Sequence, residues 1–168
     1  MTQDFDEIYQ RHAAEVYRYL RRLVETRVKA QDILQETFLK LHLQLASSRE
    51  IANVRAWLFH VATNLAHNRQ RDELRASQRE ARHANGPRVA DFHRQLEEQQ
   101  LLQRALQQLP PQMRQALLLS AEGFKHREIA EITGIAVGYV SVLVSRGRAA
   151  FKESYQREHG RQRTEKNG

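Results

Sequence analysis

The chain has 168 residues, of which 40% are hydrophobic and 28% charged, so it can bury a core and is not disordered throughout. Its net charge of +7 and pI near 10.1 favour a polyanionic partner, although membrane surfaces and acidic proteins also fit. The lack of cysteine excludes disulfides and thiolate zinc sites. The N-terminal sequence MTQDFDEIYQ has no signal-peptide pattern, and no apolar run approaches the roughly 18 residues that span a bilayer. We therefore expect a cytoplasmic protein without membrane insertion.

Apolar residues recur with helical spacing along most of the chain, and no segment alternates convincingly as a strand does, so the sequence predicts an all-α fold. Three helices are expected first, over about 4–24, about 29–45, and from near 52 past 68, and together they can close one small bundle. The residues predicted to face its core are Phe5, Ile8, Tyr9, Val16, Tyr17, Leu20 and Leu23, then Ala30, Ile33, Leu34, Phe38 and Leu41, then Val54, Trp57, Leu58, Val61 and Leu65.

The apolar pattern fades between about residues 70 and 95, where Arg, Gln and Ala dominate and Asn85-Gly86-Pro87 breaks any helix. This composition predicts a flexible basic linker between two small helical domains. Helical periodicity then resumes, and Pro110-Pro111 separates one helix from the next, expected over about 112–121. The predicted boundaries are 1–72 for the first domain, 73–96 for the linker, 97–157 for the second domain, and 158–168 for a polar tail, with fraying expected from about Arg157.

Residues 124–151 have the pattern of a helix-turn-helix. A short helix carries Ile129, Ala130 and Ile132, and Gly134 follows where the chain must turn with a positive φ. The pattern predicts a unit that presents its second helix to a DNA groove, although two ordinary packed helices with a glycine turn are the alternative. In that second helix the inward residues are expected to be Val140, Leu143, Val144 and Phe151, and the outward ones Ser141, Val142, Ser145, Arg146 and Arg148.

The second helix of the first domain carries a second face that a three-helix bundle does not need. Asp32, Gln35, Glu36 and Leu39 recur at helical spacing on that face. A solvated polar face is the plain interpretation, and a docking surface is the functional one.

The third helix has a similar second face, formed by Arg55, Phe59 and Thr63, with His60 and Asn64 along its sides. Its position opposite the Trp57 stripe predicts that Phe59 lies at least partly outside the core. An exposed aromatic among hydrogen-bonding groups suits stacking on an unpaired base. The alternative is that Phe59 packs under the linker.

No pattern in the chain indicates an enzyme. Glu80 and His83 form a single E-x-x-H pair in the basic linker, without the partner residues of a di-iron site. His60 and His67 lack a carboxylate partner at helical spacing, and no H-E-x-x-H or glycine-rich phosphate loop occurs. We expect no catalytic residue, metal or cofactor.

Three segments together resemble an extracytoplasmic-function sigma factor of bacterial RNA polymerase, in the sigma-70 superfamily. They are AQDILQETFLKLH (30–42), VRAWLFHVATNLAHN (54–68) and LQQLPPQMRQALLLSAEGFKHREIAEITGIAVGYVSVLVSRGRAAF (106–151). The resemblance covers nearly the whole chain, in the family's order and with a linker between the domains. It implies a transcription initiation factor that binds RNA polymerase core, directs it to promoters with −10 and −35 elements, and assists DNA melting. A helix-turn-helix regulator that acts without polymerase core is the rival interpretation.

The resemblance also implies roles for individual residues. The first domain would dock on the clamp helices of the polymerase largest subunit, and further contact with the polymerase flap and a possible anti-sigma factor are implied partners. Basic residues common in the family's recognition helix are replaced here by Ser141 and Leu143, and Ala136 lacks a capping hydroxyl. The implied sets are Asp32, Gln35, Glu36 and Leu39 for core polymerase; Arg55, Trp57, Phe59, His60, Thr63 and Asn64 for the −10 element; and Lys125, His126, Arg127, Tyr139, Ser141, Val142, Ser145, Arg146 and Arg148 for the −35 element.

Overall fold

The structure, a computed structural model, describes residues 4–47, 50–80 and 94–165. Within these ranges every regular element is a helix, which confirms the all-α prediction. The helices are α1 (Phe5–Leu23), α2 (Arg27–Ala46), α3 (Val54–Glu80), α4 (Arg94–Gln107), α5 (Pro111–Ala121), α6 (His126–Thr133) and α7 (Val137–Glu165).

Local sequence explains where several helices begin. The side chain of Asp4 accepts a hydrogen bond from the backbone N–H of Asp6 at the start of α1, and Thr26 accepts from Lys29 at the start of α2. Pro111 opens α5, a position where its missing N–H leaves no helical bond unmade. These signals place the helix starts close to the predicted ones.

Helices α1, α2 and α3 form the first bundle, around a core that includes Tyr19, Leu20, Ile33 and Leu58, all with no exposed surface. Most predicted core residues are buried or half-buried there. Tyr9 is an exception, because it is 45% exposed, although its ring still contacts Phe38 with centroids 4.8 Å apart. The prediction that Tyr9 faces the core was therefore wrong, since the ring lies at the margin of the bundle.

Helices α4 to α7 form the second bundle, in which α7 packs against both α5 and α4. The helices α5 and α7 lie close together at Gly147 of α7, where an added Cβ would lie 3.1 Å from Cγ of Met113. Towards the C-terminal end of α7, buried Glu158 accepts a hydrogen bond at 2.8 Å from Gln108, the residue just after α4, and lies 3.8 Å from Nε of Arg104 in α4. These contacts help to fix α7 along α4.

Two helices extend beyond their predicted ends. The helix α3 continues to Glu80 and α7 to Glu165, although we expected a linker from residue 73 and fraying from Arg157. Loss of apolar periodicity marked the end of a buried face rather than the end of a helix, because Arg, Gln, Glu and Ala are good helix formers. Contact with Glu73 raises the pKa of Lys29 and ties this part of α3 to α2 through a 2.8 Å ion pair. Residues 94–96 of the predicted linker belong to α4, and its residues 81–93, including Asn85-Gly86-Pro87 and His83, lie outside the described residues.

The two bundles contact each other directly along a seam formed by α1 and α3 on one side and α4, α5 and α6 on the other. Across it, Nε2 of Gln103 donates a hydrogen bond to the carbonyl oxygen of Val24 at 2.7 Å. In the described part of the chain, no single helix is both long and apolar enough to cross a membrane.

Candidate polymerase and nucleic-acid interfaces

The predicted docking face of α2 lies on the surface of the first bundle. Asp32, Gln35 and Leu39 are exposed, and Glu36 is half-buried. Both carboxylates lie near the guanidinium of Arg69 on α3, at 3.0 Å for Glu36 and 3.7 Å for Asp32. The acidic residues are therefore held in place by a neighbouring helix, and part of their charge is compensated.

The same face includes a residue that the sequence analysis missed. Leu43 is 61% exposed, and Leu39, one turn earlier, is 58% exposed. Two adjacent leucines in water at helical spacing form an apolar strip that nothing in the described chain covers. The i, i+4 spacing from Leu39 was the signal that would have identified Leu43.

The predicted −10 face of α3 is buried at Phe59 and Thr63. Phe59 has no exposed surface, and its ring centroid lies 5.0 Å from that of Tyr19 and 4.9 Å from that of Phe124. The prediction that Phe59 lies partly outside the core was wrong for this structure. Its ring is covered by Tyr19 of α1 and by Phe124, two residues before α6, and no linker residue is needed to account for its burial.

Arg55 is the most connected residue on this face. Its Nε lies 3.0 Å from the carboxylate of Glu15, and its guanidinium donates a 2.8 Å hydrogen bond to the carbonyl oxygen of Glu122. Its guanidinium carbon also lies 4.3 Å from the centroid of the Phe124 ring, a cation–π geometry. Arg55 thus joins α1 and α3 to the turn that precedes α6.

The polar residues of α3 form two short chains of hydrogen bonds. Thr63 is buried and donates to the carbonyl of Phe59 at 2.6 Å, so the 2.8 Å contact between its hydroxyl and that of Tyr19 is donated by Tyr19. Burial raises the pKa of Tyr19 well above its ordinary range, because the phenolate would lose its hydration.

In the second chain, Nδ1 of His60 lies 2.9 Å from the carbonyl oxygen of Ile132, and Nε2 lies 3.0 Å from the amide nitrogen of Asn64. A neutral His60 ring makes both hydrogen bonds if Nδ1 carries the proton and donates it to the carbonyl of Ile132, and Nε2 accepts from the amide of Asn64. His60 and Asn64 have exposed surface, whereas Trp57 is half-buried and packs against the core. Of the six predicted −10 residues, His60 and Asn64 are therefore the two open to solvent.

The helix-turn-helix has the predicted geometry at its turn. Gly134 adopts φ 73°, and its N–H donates to the carbonyl of Ala130 at 2.8 Å, which ends α6. Glu128 accepts from the backbone N–H of Lys125 at 2.8 Å at the start of α6. Ala136, which precedes α7, offers no side-chain oxygen to the helix start.

The second helix of this unit presents the predicted outward residues. Ser141, Ser145, Arg146 and Arg148 are exposed, and Val142 is half-buried. Tyr139 is 47% exposed near the start of α7, and Lys125, His126 and Arg127 are exposed at the start of α6. The predicted −35 residues therefore lie on the surface, apart from half-buried Val142.

A concave surface between α6 and α7 brings part of this set together and adds another cation. His126, Ser145 and Arg148 line it together with Lys152. The sequence analysis missed Lys152, although it lies one turn after Arg148 and two turns after Ser145. Three basic or titratable side chains around one concavity suit contact with phosphates.

Comparisons with known proteins agree with this architecture. The family profile described as Sigma-70 region 2 matches residues 8–76, and that described as Sigma-70, region 4 matches residues 99–151. The chain is 31% identical to the ECF RNA polymerase sigma factor SigM of Mycobacterium tuberculosis. The alignment has 151 residues and covers 86% of this chain and 74% of the relative. The chain belongs to the ECF family of RNA polymerase sigma factors.

Further relatives of this sigma factor extend the match over both bundles. The ECF RNA polymerase sigma factor SigM of Bacillus subtilis is 28% identical over 90% of this chain and 95% of its own length. The sigma factor RpoE of Bartonella quintana, solved in complex with the anti-sigma factor NepR, superposes with a TM-score of 0.75 at 25% identity, over 91% of this chain and 97% of that one. As a member of this family, the sigma factor is a transcription initiation factor that acts with RNA polymerase and promoter DNA.

Proposed function

We propose that three faces of this sigma factor have separate roles in transcription initiation. In this proposal the α2 face docks on the clamp helices of the polymerase largest subunit, the α3 face holds the opened −10 strand, and the outward face of α6 and α7 binds the −35 duplex. The proposed domains are those expected from the sequence, 1–72 and 97–157. The observation that carries the proposal is that the first and third faces are exposed and chemically distinct, one apolar and acidic and the other polar and basic.

The α2 face has the chemistry of a protein interface. Exposed Leu39 and Leu43 supply apolar area, and Asp32 and Glu36 beside them supply charge that can select a basic partner. An apolar strip with flanking charge favours docking on polymerase over the interpretation as a solvated polar face, because adjacent exposed leucines are unfavourable on a surface that contacts only water.

A matched pair of variants tests the docking surface. Leu39→Asp should weaken binding to core polymerase at least about tenfold, because it places a charge in the apolar strip. Leu74→Asp is the control, since Leu74 is 59% exposed like Leu39 but belongs to α3 rather than to the α2 face. Equal affinity of the two variants for core would remove the α2 face from the proposal.

The α6 and α7 face is suited to duplex DNA. Arg146 and Arg148 can meet phosphates, and short Ser141 and Ser145 permit close approach of α7 to the base edges. Val142 is positioned to contact a thymine methyl. Since Ser141 stands where a basic residue is common in the family, we propose that docking of polymerase adds to a modest affinity of this face for DNA.

The α3 face is proposed to act after a change in the structure. His60 and Asn64 are open to solvent and offer hydrogen bonds to a base edge, whereas Phe59 and Thr63 can reach a strand only if the second bundle moves away. Asn64→Ala should therefore reduce promoter opening while leaving binding to core unchanged. Parallel loss of both would indicate a structural role for Asn64.

Three further statements belong to this proposal. The sigma factor selects the promoter and polymerase catalyses RNA synthesis, so the sigma factor has no catalytic residue, metal or cofactor of its own. It acts in the cytoplasm, where polymerase and promoters are. An anti-sigma factor is a proposed partner, because the RpoE of Bartonella quintana that it resembles was solved with one.

Transcription in vitro with purified core polymerase tests the function as a whole. Core alone should give no specific transcripts from genomic DNA, and core with this protein should give transcripts whose mapped starts share −10 and −35 motifs. Binding of DNA without any association with core would favour a regulator that acts alone.

A further inference from the structure

A small cavity lies between the first bundle and the start of α5. Its volume is about 30 Å³. One water requires ~10–15 Å³, and a cavity of ~150 Å³ holds a benzene molecule, so this one has room for a chemical group of a few atoms. The buried residues of its lining are Leu23, Ile33 and Ala66 of the first bundle and Arg114 and Gln115 of α5.

Arg114 is a buried cation that lacks a counter-ion. Its side chain is 4% exposed, and its Nη1 donates a hydrogen bond to the neutral amide oxygen of Gln107. Within the described residues its Nε has no hydrogen-bond partner, and its guanidinium forms no ion pair. Burial lowers the pKa of this guanidinium, with Glu25 acting against that effect from a distance, but an arginine stays protonated in a protein. A buried charge in this state favours an anion beside it.

The other cations around the cavity already have carboxylate partners. Lys29 lies 2.8 Å from Glu73, and Arg69 lies 3.0 Å from Glu36. The lining is therefore left with one uncompensated positive charge, at Arg114. A ligand with a single negative charge would balance it, whereas a dianion would bring a second charge that nothing in the lining compensates.

The shape of the site suits a carboxylate. The N–H groups of a guanidinium lie in one plane, in a fixed fork that matches the two oxygens of a carboxylate. The side-chain amides of Gln70 and Gln115 also line the cavity and can donate to the same oxygens. Buried Leu23, Ile33 and Ala66 offer an apolar wall to the carbon that carries the carboxylate.

We propose that this cavity is a binding site for a small monocarboxylate, whose oxygens pair with Arg114 and whose short carbon chain contacts the apolar wall. The site is separate from the three proposed faces, since its lining contains none of the residues proposed for polymerase or DNA. Occupancy of the site makes the stability of the sigma factor depend on the concentration of the carboxylate.

Acetate is the probe that tests the site. Saturation-transfer NMR on the acetate methyl protons detects binding of a weak small ligand to the whole chain, at pH 8 and at constant ionic strength. The expected result is a saturable signal that fits one site. Absence of a saturable signal would overturn the proposal. Inorganic phosphate, mainly a dianion at this pH, should bind less tightly than acetate, and equal or tighter binding of phosphate would overturn the assignment to a monoanion.

Two variants should change the affinity for acetate in opposite directions. Arg114→Met removes the cation and keeps a long side chain, so it should abolish the saturable signal while the urea midpoint stays the same or rises. Glu73→Gln removes a negative charge beside the cavity, so acetate should bind at least about threefold more tightly.

Glu153→Gln is the control, because it makes the same change in charge at an exposed residue of α7 outside the lining. It should leave the affinity for acetate unchanged. Wild-type affinity in Arg114→Met, or equal effects of the two glutamate substitutions, would overturn the proposal.

Thermal unfolding gives a second measurement that needs neither polymerase nor promoter. Acetate should raise the melting temperature of the wild-type protein in a saturable way, because it binds the folded state. The increase should be absent in Arg114→Met. An increase of the same size in both proteins would mean a general salt effect and would count against the site.

Discussion

Truncation of Phe59 measures how completely the seam encloses this ring. The side chain is fully buried between Tyr19 and Phe124 and lies 5.2 Å from the guanidinium carbon of Arg55. Phe59→Ala removes the ring and leaves a cavity, so the free energy of unfolding should fall by about 3–5 kcal/mol. Phe59→Leu retains most of the volume and loses mainly the aromatic and cation–π contacts, so the loss should be about 1–2 kcal/mol.

Urea unfolding, followed by helical circular dichroism and by fluorescence of the single tryptophan, Trp57, gives these values. With a slope of about 2 kcal/mol/M, Phe59→Ala should lower the midpoint by about 1.5–2.5 M. Leu74→Ala is the matched control, since Leu74 is 59% exposed and its truncation should change the free energy by less than about 0.5 kcal/mol.

A decrease of less than about 1 kcal/mol in the free energy of unfolding for Phe59→Ala would refute the reasoning, because removal of a ring enclosed on both sides leaves a cavity that costs more than this. The same numbers decide how Phe59 should be studied in transcription. Since Phe59→Ala threatens the fold, Phe59→Leu is the variant that separates a role in holding DNA from a role in packing.

Three further predictions concern single sites. The pKa of Tyr19 is raised in the folded protein, so the unfolded chain loses this proton at a lower pH. The free energy of unfolding should therefore fall above about pH 10, by up to about 1.4 kcal/mol per pH unit. Urea midpoints measured between pH 8 and 11 should show this fall, and Tyr19→Phe should lessen it. Gly134→Ala should lower the melting temperature, since the backbone of alanine is strained by about 1–2 kcal/mol at φ 73°. Gly138→Ala within α7 should raise it slightly, because alanine is the better helix former. Equal effects of the two substitutions would contradict the turn geometry. Arg146→Ala should reduce the log–log salt slope of promoter binding by about 0.9 if it contacts a phosphate, and a loss confined to one base position would mean base readout instead.

Local patterns were sufficient for most of the fold. Periodicity located α1, α2, α5 and the helix-turn-helix, and Gly134 has the positive φ expected of it. Composition was a poorer guide to helix ends, because α3 and α7 continue where their apolar faces have ended. A solvent-exposed helix of Arg, Gln and Glu has the same composition as a linker, so this distinction needs the structure.

The second face of α3 shows the limit of single-helix reasoning. Periodicity separates a helix into faces but does not say what covers each one, and Phe59 and Thr63 were placed on a face that no helix of their own bundle needs. Phe59 is covered by Tyr19 of its own bundle and by Phe124, which is distant in sequence, and the hydroxyl of Thr63 is hydrogen-bonded to that of Tyr19. Only tertiary packing could show that this part of the face is buried.

The sequence by itself determined the helical fold, the helix-turn-helix with its glycine turn, and the family, because these depend on periodicity, on backbone geometry at one residue, and on motifs within short segments. The tertiary structure alone decided which functional faces are accessible. Accessibility depends on contacts between residues far apart in the chain, such as Arg55 with Glu122 and Phe59 with Phe124, and no local pattern encodes a contact whose partner lies in another bundle.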